Sequence, residues 1–216
     1  MNHRQPFFEG GSDDFRQQPL DRSKCLAGSY APRPAMSTSL ALRHASIEDA
    51  SALAAFASKA FSDTYRGIDD PDEIADYVAE HFNPEAVTKI IRDRVSTTLL
   101  AEIASQLVGY AVLKSVEAPS CVTGAKPIEL ARFYLDKEFI GKGIGASLML
   151  LVHAEALRLG ARTLWLSVYD RNVRAVSFYE RFGFTRVGGK EFLFGGRVYI
   201  DPVYSAPVRG GAPTQP

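Results

Sequence analysis

The sequence predicts a mixed α/β domain in which one mixed sheet carries helices on both faces. Strand-like and helix-like stretches follow one another without regular alternation, which argues against a plain series of βαβ units. Short runs rich in apolar and aromatic residues, bounded by turn residues, recur along the chain as strands. The longest helical stretch follows directly on one strand and a loop holding Gly141, Gly143 and Gly145. No internal repeat is present.

Residues 1–35 hold Pro6, Pro19, Pro32, Pro34, Gly10 and Gly11 with no apolar period, and read as disordered. They lack the apolar core of a signal peptide. Met36 opens a polar tetrapeptide just before the first strand, so translation starting there and a genuine flexible tail are both open readings. The expected organisation is an extension over 1–36, one domain over 37–205, and a proline- and glycine-rich tail over 206–216. A short strand fits 40–44. Ser46, with Asp49 three residues on, suits the start of a helix whose apolar stripe is Ala50, Leu53, Ala54, Ala57 and Phe61. Residues 63–67 read as a loop. Asp70-Pro71 starts a second helix ending near Phe82, and Pro84 a third through Arg94. A hairpin covers 97–103 and 107–116. After a loop, 128–135 forms the central strand, and Ile144, Leu148, Leu151, Val152, Ala156 and Leu159 give a helix closed by Gly160. A strand over 162–169, a helix over 172–182, and strands over 184–188 and 191–204 with a turn at Gly195-Gly196 complete the fold.

The 216 residues carry 46% hydrophobic side chains and a formal net charge of +0. That is enough chain for one core, with no global pull towards nucleic acid or membrane. Two distant cysteines, Cys25 and Cys121, and four histidines without paired spacing supply neither a zinc site nor a disulfide framework, so a reducing cytoplasmic setting and no metal are expected.

The glycine loop admits two readings. Glycines before a helix let the backbone crowd a ligand whose negative charge meets the unpaired N–H groups of the first turn, a natural phosphate cradle. They also make plain tight turns. The dinucleotide fingerprint lacks its last step, and no P-loop is present.

The next segment decides between them. Asn172, Ala175, Phe178, Tyr179, Gly183 and Phe184 fit N-x-x-A-x-x-F-Y-x-x-x-G-F, and they follow a strand, glycine loop, helix and strand. In that order the two motifs resemble the GNAT superfamily of acetyl-CoA-dependent N-acetyltransferases, over about residues 40–204. The resemblance implies a largely antiparallel central sheet of about six to seven strands. It implies acetyl-CoA as acetyl donor, with pyrophosphate on the main chain of Ile140, Gly141, Lys142, Gly143, Ile144, Gly145 and Ala146 and the pantetheine arm along Phe133, Tyr134 and Leu135. Ile140 departs from the family, where Gln or Arg is usual, so a side-chain contact is lost.

Direct acetyl transfer needs a neutral amine, although an alkyl ammonium of pKa ~10 is only about one part in a thousand neutral at pH 7. It also needs a proton for the departing thiolate. Glu129 is a charged residue on the central strand, and strict alternation puts it on one face with Ala131, Phe133 and Leu135. It reads either as a carboxylate paired with Arg132 or Lys126, or as a general base. The resemblance favours the base, since a glutamate eleven residues before the position of Ile140 does this work in several relatives. Tyr179 reads as a core aromatic or, by resemblance, as the acid for the thiolate. Asn172 reads as a helix-start residue or as a cofactor contact.

Residues 63–80 hold Asp63, Asp69, Asp70, Asp72, Glu73, Asp76 and Glu80 against Arg66 alone. F-S-D-T-Y ending at Tyr65, the downstream Tyr77, and E-L-x-R-F-Y on the central strand resemble the bacterial spermidine/spermine acetyltransferases. That implies Tyr65 and Tyr77 as acceptor-binding residues and a small cationic amine, such as a polyamine, as acceptor. The alternatives are a protein N-terminus, or a coenzyme A-binding regulatory domain without catalysis. The partner implied is a small-molecule amine, with neither nucleic acid nor membrane, and a homodimer as the assembly to test.

Overall fold

A computed structural model describes residues 39–67, 70–169, 171–194 and 196–210, without the side chains of 192 and 194. The expected N-terminal extension, Met36, Cys25, Asp69 and Gly195 lie outside the described residues. Seven strands form one sheet: β1 Leu40–His44, β2 Ser96–Ile103, β3 Gln106–Lys114, β4 Pro127–Leu135, β5 Thr163–Ser167, β6 Thr185–Phe194 and β7 Arg197–Pro207, in the order β1-β2-β3-β4-β5-β7-β6. Only β4 and β5 are parallel; every other neighbouring pair is antiparallel.

Helices α1 Ala50–Tyr65, α2 Pro71–His81 and α3 Pro84–Arg92 cover one face; α4 Ile144–Arg158 and α5 Val173–Arg181 cover the other. The α4 side holds Leu99, Ala111, Leu113, Ile128, Leu130, Leu148, Met149, Val152 and Leu164, all buried. Each such aliphatic side chain contributes roughly 1.5–3 kcal/mol over its exposed state. The α1–α3 side gathers Leu53, Ala57, Phe61, Ile74, Phe82 and Val87 over Leu100, Tyr110 and Val112.

Local chemistry sets the helix starts. Ser46 N–H and Oγ both donate to Asp49 Oδ2, heading a short 3-10 turn that leads into α1. Asp70 and Asn83 accept from the first-turn N–H groups of α2 and α3, with proline next in each case. Three boundaries differ from expectation. Residues 63–65, read as loop, continue α1, because Tyr65 packs on Phe61 one turn back at 4.6 Å. The last two strands form one hairpin without the expected break at residues 189–190; a register shift between Arg186 and Gly188 absorbs the irregularity within β6. β7 runs on to Pro207, where Thr163 faces it across the ladder.

Candidate active site

β4 and β5 pair only over three steps, the last being Glu129 with Trp165. Beyond it β5 turns to β7 alone, while β4 keeps β3 as its partner as far as Leu135. The two strands therefore part, and the far edge of residues 130–135 offers main-chain groups to a gap in the sheet. A bulge sharpens the parting. Leu113 pairs with Leu130 and Val112 with Arg132, leaving Ala131 as an extra residue. An extra residue reverses the alternation that follows it.

That reversal corrects the expected arrangement of faces. Ile128, Leu130, Phe133 and Leu135 pack in the α4-side core, whereas Tyr134 packs in the α1–α3 core and Arg132 lies 4.5 Å from the Phe82 ring on that same side. Glu129, opposite Lys114 and one step from Ile128, shares the α1–α3 side. Glu129 is thus not on one face with Phe133 and Leu135. Its partner is neither Arg132 nor Lys126 but Lys190 of β6, whose Nζ lies 3.4 Å from Oε1 and 5.1 Å above the Trp165 ring.

The glycine loop fits an anion. Gly143 is the N-cap of α4 at φ 82°, Gly141 has φ 83°, and a Cβ at either would point into open space. No side chain caps α4; Ser147 N–H, on the Gly143 carbonyl, makes its first bond. The N–H groups of Gly141, Gly143, Ile144, Gly145 and Ala146 thus have no acceptor among the described residues. Gly145 serves packing: a Cβ there would sit 3.0 Å from Leu135 Cδ1 and 3.4 Å from Phe178 Cε2, so its absence lets the first turn lie on the end of β4. Ile140 is 38% exposed, and the Lys142 ammonium rests 4.9 Å from the Phe139 ring.

Tyr179 projects from α5 into the α4-side core, with its ring centre 6.3 Å from Phe133, 5.6 Å from Phe178 and 5.7 Å from Phe184. Burial, with the nearby Tyr134 hydroxyl second, pushes its phenol well above the usual range. The group holds its proton at neutral pH. Asn172 caps α5, its Oδ1 accepting from Ala175 N–H at 3.2 Å, so its helix-start role is present in the structure.

Tyr65 and Tyr77 both flank Phe61, Tyr77 stacked at 4.7 Å, and Tyr65 reaches to 6.2 Å from Tyr169, which follows β5. Tyr134 stacks on Tyr110 and, through burial, its phenol is pushed up to about 12. Beside this cluster, a cleft of about 600 Å³ opens between α2–α3 and β3–β4, lined by Glu80, Glu85, Lys89, Lys114 and Arg132 among others.

Two members of the acidic run are already engaged. Asp63 meets Lys59 at 3.2 Å, Arg66 at 3.1 Å and Lys137 at 3.7 Å, and Asp70 is spent on capping α2. Lys59 precedes the run on α1, and Lys137 comes from another element, which a count along residues 63–80 cannot include. Lys190 and Lys114 were missed for the same reason: β6 reaches Glu129 across 61 residues, and no local pattern marks it. Among the described residues no three His, Cys, Asp or Glu side chains converge as a metal site, and no helix is long and apolar enough to cross a membrane.

Comparison with known proteins matches the arrangement to its relatives. Residues 57–184 match the model of the acetyltransferase (GNAT) family. An uncharacterised N-acetyltransferase of Mycobacterium tuberculosis is 31% identical over 147 residues, 68% of this chain and 90% of that one. The spermidine N(1)-acetyltransferase of Thermoplasma acidophilum is 30% identical over 150 residues, 68% of this chain and 88% of that one. The crystal structure of the PaiA N-acetyltransferase of the same organism, in complex with coenzyme A, superposes with a TM-score of 0.65 at 27% identity, covering 78% of this chain and 99% of that one. The parted strands, the open amide cradle and these matches together establish that the chain belongs to the GNAT family of acetyl-CoA-dependent N-acetyltransferases.

Proposed function

We propose that this enzyme acetylates a small cationic amine, with a polyamine such as spermidine as the best single acceptor. One observation carries the acceptor class. At the point where β4 and β5 part, Glu129 already holds an alkylammonium, that of Lys190, over the indole of Trp165. A carboxylate and an aromatic face recognise a primary ammonium by charge and by cation–π attraction. The lysine side chain ends in a primary alkylammonium, as both ends of spermidine do. The relatives named as spermidine and spermine acetyltransferases support the same class.

In this reading the amides of Gly141, Gly143, Ile144, Gly145 and Ala146 hold the pyrophosphate, with Ile140 and Lys142 flanking it and Asn172 beside it. The free edge of Phe133, Tyr134 and Leu135 takes the pantetheine amides. Glu129 accepts a proton from the acceptor ammonium, directly or through one water, and frees the amine to attack the thioester carbonyl. Tyr179 donates to the departing sulfur. Burial raises the phenol, and it raises the proton affinity of a thiolate formed in the same pocket too, so the two stay matched. Tyr65 and Tyr77 wall the acceptor side, and no metal is needed. The setting is cytoplasmic, consistent with Cys121 as a free thiol.

Thiol release from acetyl-CoA across polyamines, amino acids, aminoglycosides and peptides tests the assignment. A polyamine should give the highest kcat/KM. A neutral or anionic amine, or a peptide, ahead of every polyamine would overturn the acceptor; no thiol release with any amine would leave only cofactor binding.

A further inference from the structure

Lys190 lies outside both sequence motifs, on β6 at the edge of the sheet, yet its ammonium occupies the head of the gap between β4 and β5. Glu129 and Trp165, the two residues it touches, are the last pair before the strands part. Its side chain is 44% exposed and Glu129 12%, so the lysine sits as a lid over a mostly covered carboxylate. A purely structural ion pair on an open hairpin contributes little to stability. That is little reason to set a primary amine on the one carboxylate at this position.

We propose that Lys190 is itself an acetyl acceptor, modified by its own active site. The inference rests on the reading of Glu129 as the base and of the gap as the seat of the thioester. The step balances. The Lys190 ammonium gives one proton to Glu129. The neutral Nζ attacks the acetyl carbonyl, an N–C bond forms, the C–S bond breaks, and the nitrogen, now part of the amide, loses its second proton to solvent. Tyr179 protonates the leaving sulfur, and solvent removes the proton from Glu129 and restores that of Tyr179. Coenzyme A, acetyl-Lys190 and one net proton result. Acetylation removes the ammonium from Glu129, so the modified enzyme presents an unpaired carboxylate to a free amine, whereas the unmodified enzyme must first displace its own lysine.

The test is intact-mass and peptide mass spectrometry of the full chain with acetyl-CoA and no added amine. One acetyl group should accumulate at Lys190, at a rate per molecule independent of protein concentration. Lys190→Arg, which keeps the charge without a nucleophile of comparable reactivity, should block it, and Tyr179→Phe should slow it in step with turnover on added amines. Thiol release with polyamines alongside an unmodified Lys190 would overturn this inference alone. So would acetyl groups scattered over other lysines, or a rate that rises with protein concentration. Absence of thiol release with every amine would fail the functional reading and this inference together.

Discussion

The two faces of β4 use the same strand in different ways. Towards α4, the strand presents Phe133, Leu135 and its free edge to a helix start whose N–H groups lack acceptors among the described residues. In the proposed reading that face works through the main chain, so an exposed Ile140 is tolerable there. Towards α1–α3, it presents Glu129, Arg132 and Tyr134 to side chains from α2, α3, β3 and β6. That face works through charge and rings brought from far along the chain. The bulge at Ala131 is what divides the two, because without it Glu129 would share a face with Phe133 and Leu135.

If this division is right, substitutions on each face should separate binding of coenzyme A from handling of the amine. The largest effect belongs to the group that reaches the sulfur. Tyr179→Phe should keep the fold and the coenzyme A Kd and lose about 10²–10⁴ in kcat. A loss of affinity instead would make Tyr179 a positioning residue and weaken the contrast. Glu129→Gln should follow, with kcat for spermidine down about 10²-fold and the coenzyme A Kd unchanged by calorimetry; a weakened Kd would tie the carboxylate to the cofactor face.

Next, Gly143→Asp places bulk and negative charge on the amide cradle at a left-handed backbone position. Calorimetry should show coenzyme A binding about tenfold weaker or worse, with kcat at saturation much less affected. Unchanged affinity in the folded variant would remove the cradle from the account.

The smallest effect concerns stability on the cofactor side. His153 is buried in α4, its Nδ1 accepting from Arg209 N–H at 3.2 Å, and burial, then the Arg209 charge, pushes it down to about 4. The unfolded chain binds that proton near pH 6.5, before the native state does. Stability from His153 is therefore full above about 6.5 and lost as pH falls towards about 4. The carboxylates held low by Arg43 and Arg158, Asp49 and Glu155, act at still lower pH. The melting temperature should decline across the higher window, and His153→Gln should flatten that decline while leaving the lower one.

The same division explains what could be read from the sequence. The glycine loop, the helix behind it and the N-x-x-A-x-x-F-Y frame are local, so the loop before α4 and the start of α5 at Asn172 were legible from spacing, while the roles proposed for Gly141, Gly143 and Tyr179 came from the resemblance. Helix starts at Asp70 and Asn83 were legible too, since capping chemistry is local. The facing of Glu129 was not, because a bulge depends on the partner strand and leaves no mark in a single strand's alternation. Lys190 and the contact of Lys137 with Asp63 were hidden for a related reason. Both depend on pairings across elements, 61 residues apart in the first case and 74 in the second, whereas Lys59 and Arg66 meet Asp63 locally.

One measurement tests the division most directly: a crystal structure with coenzyme A and spermidine bound together. The account predicts the pyrophosphate on the amides of Gly141 to Ala146, the sulfur beside the Tyr179 hydroxyl, and a spermidine ammonium on Glu129 over Trp165, with Lys190 displaced. A polyamine bound on the α4 side of β4, or the pyrophosphate away from the start of α4, would contradict it.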